Sequence, residues 1–74
     1  MTEYMVVIEK GPTSYGAYVP DLPGCVAVGE TEHEALQLIK EAIELHLIGL
    51  RELGEHIPPP LAHSRYVSVP FVPA

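Results

Sequence analysis

The hydrophobic pattern changes period once along this chain. In residues 4–9, Tyr4, Val6 and Ile8 alternate with Met5, Val7 and Glu9, the two-residue repeat of a strand with at least one well-buried face. Residues 4–8 therefore predict a first strand. Lys10-Gly11-Pro12-Thr13-Ser14 breaks the pattern with turn residues, and residues 15–19 resume it as a second strand, giving a hairpin. Pro20-Asp21-Leu22-Pro23-Gly24 interrupts again. Proline lacks the N–H a central ladder needs, Asp21 suits bonding to backbone N–H groups of its own turn, and Gly24 suits a positive φ. Residues 25–28 read as a short third strand closed by Gly29. Short connections between three successive strands favour an antiparallel meander.

From residue 31 the period becomes helical. Thr31-Glu32-His33-Glu34 predicts a capping box, with Thr31 at the N-cap and Glu34 at the third helical position. No proline follows until the run Pro58-Pro59-Pro60, and Gly54 supplies a stop. At about 100° per residue, Ala35, Ile39, Ala42, Ile43, His46, Leu50 and Leu53 cluster on one face, opposite Gln37, Lys40, Glu41, Glu44 and Arg51. Leu38 and Leu45 widen the apolar arc on one shoulder, Leu36 and Leu47 on the other. Such an arc exceeds what one sheet face covers. A helix of about 23 residues also extends roughly 34 Å, against about 20–23 Å for a strand of six or seven. Leu47, Leu50 and Leu53 fall in the predicted overhang and call for a cover, from the C-terminal segment or from another subunit.

After an extended, proline-held connector, residues 66–69 predict a fourth strand. Pro70-Phe71-Val72-Pro73 is apolar but proline-marked, fitting a sheet edge or a segment laid on a neighbour. The expected architecture is α+β, in the order β-β-β-α-β, a single domain over residues 1–74 with one long helix on one sheet face. The opposite face is expected to be bare, and Val26 and Val28 against Cys25 and Ala27 place apolar residues on both faces of the third strand. The set expected to meet another subunit is Leu38, Leu45, His46, Leu47, Leu50, Leu53 and Phe71.

Composition supports association and removes several functions. A 74-residue chain buries only about 60% of the surface its unfolded form exposes, and this one is 47% apolar, too apolar for disorder. Ten acidic residues stand against Lys10, Lys40, Arg51 and Arg65, a net charge of −6. With no basic cluster, direct nucleic-acid binding is not expected; an acidic surface suits a basic protein partner instead. No apolar run nears the roughly 20 residues of a membrane span. The start Met1-Thr2-Glu3 shows no signal peptide, and the single cysteine needs no oxidising compartment, so the default setting is the cytoplasm.

Sites for chemistry are sparse. His33, His46, His56 and His63 lack zinc-type spacing with one another or with Cys25, and no metal or cofactor is expected. His46, central in the apolar helical stripe, reads as a packed or interfacial histidine, or else as a pH-sensitive contact. Cys25 pairs with no base and reads as a small buried thiol. Asp21 with Glu9 nearby is the one start of a metal-dependent nuclease site, but Glu41 and Glu44 face away from it. A turn-capping Asp21 is the simpler reading.

Gly16-Ala17-Tyr18-Val19-Pro20-Asp21-Leu22-Pro23-Gly24-Cys25 and Glu34-Ala35-Leu36, extended by Ile39-Lys40-Glu41-Ala42-Ile43-Glu44, resemble the signature of the HicB-type antitoxin domain. Tyr4-Met5-Val6-Val7-Ile8 and Tyr66-Val67-Ser68-Val69 resemble that family's outer strands. The resemblance implies a truncated, ribonuclease H-like β-β-β-α-β unit that forms dimers or larger complexes. It also implies masking of a small basic, mRNA-cleaving HicA-type toxin, with no enzymatic role. Pro20, Asp21, Leu22, Pro23, Gly24 and Cys25 would form the characteristic inter-strand loop. The sequence reaches Ala74 directly after the fourth expected strand, so the DNA-binding module of longer members is not expected. A stand-alone oligomeric scaffold and a weak metal-dependent nuclease are the alternatives.

Overall fold

The computed structural model describes residues 2–73; Met1 and Ala74, the ends of the expected 1–74 domain, lie outside the described residues. Three strands, β1 (Val7–Lys10), β2 (Tyr15–Tyr18) and β3 (Val26–Gly29), form an antiparallel sheet in the order β1-β2-β3. The meander follows its expected order, with β1 shifted two to three residues toward the turn. That turn closes through the Gly11 amide, which donates to the Ser14 carbonyl at 2.8 Å.

The register sorts the side chains onto two faces. Ile8, Ala17 and Ala27 stand side by side, as do Val7, Tyr18 and Val26 on the other face. The first row packs under the helix; in the second, Tyr18 and Val26 are exposed.

Helix α1 spans Glu32–Glu52, and both ends carry the caps the sequence predicts. Thr31 Oγ1 accepts from the Glu34 amide at 3.0 Å, and Glu34 Oε1 accepts in return from the Glu30 amide at 3.1 Å, one residue earlier than a standard capping box. At the other end Gly54 takes φ 70°. Its amide donates to the Arg51 carbonyl and that of Glu55 to the Leu50 carbonyl, the paired bonds of a Schellman motif.

The helix sits chiefly over β3 and β2 and reaches β1 only at its margin. Gly29 allows the approach, because its backbone lies against the first helical turn at Ala35. The buried core is small: Ala17, Val19, Leu22, Cys25, Ala35 and Ile39. Tyr4, Val6, Ile8, Ile43 and Leu47 pack around it while staying partly open.

The C-terminal region departs from expectation. Residues 66–69 form no strand in this chain, so the element order is β-β-β-α and the last strand of the expected ribonuclease H-like unit is not formed. The Tyr4 hydroxyl donates to the Pro58 carbonyl at 2.5 Å, and Asp21 Oδ2 accepts from the Ala62 amide at 2.9 Å. The chain is thus led from the segment before β1 across to the loop after β2. Beyond Ala62 every described residue is exposed. The radius of gyration is 14.8 Å, against about 11 Å for a compact chain of this length.

A candidate protein-binding surface

The loop between β2 and β3 turns inward. Leu22 has no exposed surface and Cys25 only 4%. The Leu22 amide donates to Val19, that of Cys25 to Leu22 and that of Val19 to Cys25, at 3.1–3.3 Å, and Gly24 takes φ 84°. Of the six loop residues, only Pro20, Pro23 and Gly24 are open to a partner. The loop is chiefly a plug for the sheet–helix core. Asp21 is half-buried and caps Ala62, 41 residues away, instead of its own turn. The local pattern could not reveal that bond, because its partner is a backbone amide in the connector.

The other chemical candidates are dispersed. Burial pushes the Cys25 thiol up from its ordinary range, which keeps it protonated and unreactive. Glu9 pairs with Gly16 toward one end of the hairpin, while Asp21 lies beyond the opposite end, past the Val7 and Tyr18 pair. Among the described residues no group of three His, Cys, Asp or Glu side chains is placed to hold a metal ion. His33, His56 and His63 are exposed, and His46 is half-buried on α1.

Exposed apolar surface is plentiful by contrast. The outer sheet face presents Tyr18, Val26 and Val28, the valines each 64% exposed. Gly16, between Glu9 and Val28, adds no side chain and leaves this face shallow. Leu38 and Leu45 on α1 and Leu53 at its C-cap are exposed, while His46, Leu47 and Leu50 are half-buried; Phe71 is exposed in the C-terminal segment. The structure therefore leaves the expected interface set wholly or partly uncovered. Ile48, Ile57 and Leu61 are also exposed. They went unnoticed in the sequence, Ile48 because it falls on the polar side of the helix between Gln37 and Glu41, and the other two because they lie within a connector.

The total accessible surface is 6123 Å², whereas a compact monomer of 8.1 kDa exposes about 4500 Å². The excess of about 1600 Å² per chain is about twice the ~800 Å² that each partner contributes to a standard protein interface. No helix among the described residues is long and apolar enough to cross a membrane.

Residues 4–70 match the family model described as a HicB_like antitoxin of bacterial toxin-antitoxin systems. A 14.9 kDa protein of Haemophilus phage HP1 is 39% identical over 67 residues, which cover 90% of this chain and 50% of that one. A UPF0150 protein of Helicobacter pylori is 58% identical over 41 residues, covering 55% and 57% of the two chains. A UPF0150 protein of Thermoplasma acidophilum is 44% identical over 57 residues, covering 76% and 83%. The matched regions thus span about half the length of the phage and Helicobacter relatives.

Proposed function

The chain belongs to the HicB-like antitoxin family of bacterial toxin–antitoxin systems, and on that premise we propose that it acts in the cytoplasm as a single non-enzymatic domain that neutralises a small basic, mRNA-cleaving toxin of the HicA type by covering its active surface. The family match over residues 4–70 carries this reading. Charge supports it, since an RNA-cleaving protein must hold phosphates with basic groups, and this chain offers ten acidic residues against four basic ones.

The outer sheet face is the surface we assign to the toxin. Tyr18 lies between Val7 and Val26 in the sheet register, with the carboxylate-bearing Glu9 one row away on the same face. An aromatic anchor among small apolar neighbours, with acid at the rim, is the composition of an interface hot spot. The helical leucines and the C-terminal segment are then left for association between copies of the chain.

The test is a pull-down with a small basic protein encoded beside this gene. The native chain is expected to retain it, and Tyr18→Ala to weaken retention at least tenfold. A neighbouring basic RNase that passes over the native chain unretained would refute the assignment.

A further inference from the structure

We infer that the segment around Tyr66–Val69 is the fourth strand after all, contributed to a second copy of the chain. It pairs with the open edge of the first strand and seats its valines in the groove beside it. This goes beyond the toxin-binding reading and does not depend on it.

The receiving site is a groove of about 390 Å³ between α1 and the segment leading into β1, walled by Tyr4, Val6, Leu36, Ile39, Ile43 and Leu47. It exists because α1 leans toward β3 and only brushes β1. β1 is one of the sheet's two outer strands; Glu9 and Lys10 blunt its edge at the turn end, while Met5-Val6-Val7-Ile8 at the other end carries neither charge nor proline.

The inserting segment has the matching character. Tyr66 is 101% exposed and Val67 80%. Beyond Ala62, the one backbone hydrogen bond among the described residues runs from the Phe71 amide to the Val69 carbonyl at 2.8 Å, a γ-turn around Pro70 of the kind that closes strand ends. In an extended strand, the N–H and C=O groups of residues 66, 68 and 70 point to one side and those of 67 and 69 to the other. Pro70 has no N–H, so its side is the one left to solvent. The groups of Val67 and Val69 then meet the receiving edge, and their side chains share one face toward the groove.

A second copy is the occupant for two reasons. The segment is led away from its own first strand by the Tyr4–Pro58 and Asp21–Ala62 hydrogen bonds. The uncovered surface of about 1600 Å² per chain exceeds what a stable dimer needs.

Light scattering or sedimentation at micromolar concentration tests this. The native chain is expected at twice its 8.1 kDa mass. Val67→Pro removes an N–H facing the edge and is expected to give monomer; because Val67 is exposed in its own chain, the fold survives. Ser68→Pro removes an N–H on the solvent side and is expected to leave the dimer intact. Leu36→Glu, on the groove wall, is expected to give monomer. A monomeric native chain would overturn the exchange, as would a Val67→Pro dimer of unchanged stability. So would an edge that accepts a strand only from an added basic protein. A monomeric Val67→Pro chain that still blocks RNA cleavage would support strand exchange while leaving the toxin reading standing.

Discussion

A β-carbon placed on Gly29 would stand 2.7 Å from the backbone nitrogen of Ala35. The obstacle is the first turn of α1 itself, which cannot rotate aside as a side chain would. Gly29→Ala is therefore expected to push the helix off β3. Overpacking of this kind costs about 1–3 kcal/mol, and the entropy gained by replacing glycine returns about 0.4–1 kcal/mol at most. Urea unfolding should show a net loss of stability; an unchanged or higher midpoint would mean that the helix is not seated on that strand as described.

The connector is held by two long-range hydrogen bonds, from Tyr4 to Pro58 and from Ala62 to Asp21. Tyr4→Phe removes the first and should cost about 0.5–1.5 kcal/mol. Asp21→Ala removes the acceptor of the second and should speed amide exchange at Ala62 with little effect on the helix amides. Equal exchange at Ala62 in the native and Asp21→Ala chains would show that the connector is not tied there.

Cys25 gives a pH signature. Its folded-state pKa lies above the ordinary thiol value because burial disfavours the thiolate. Above about pH 8.5 the unfolded chain releases this proton while the folded chain keeps it. The unfolded state then binds fewer protons, and stability falls as pH rises until the folded thiol also ionises. Cys25→Ala lacks this term. The variant should be less stable at neutral pH from lost packing, with the gap to the native chain narrowing above about pH 8.5. A gap that stays constant to pH 10 would contradict the burial.

What the sequence disclosed tracks how local each signal is. The caps at Thr31 and Gly54 lie within a turn of the groups they satisfy, and both form as the residues predict. The meander was legible from alternation and turn residues in the same way. Asp21 was misread because its partner, Ala62, is 41 residues distant. The fourth strand shows the same limit more sharply. Tyr66-Val67-Ser68-Val69 has the composition of a strand, but composition does not say whose edge it joins, and in the single chain it joins none. At the candidate surface, the breadth of the helical arc foretold exposed leucines. The grouping of Tyr18 with Val7 and Val26 emerged only from the β-strand register.

The claim that this domain works by covering another protein is tested most directly by titrating the chain into an RNA-cleavage reaction run by a small basic RNase encoded beside its gene. Cleavage should fall in proportion to added chain and stop near a fixed molar ratio, with a complex of matching mass recovered. Cleavage that continues undiminished in an excess of well-folded chain would contradict the claim.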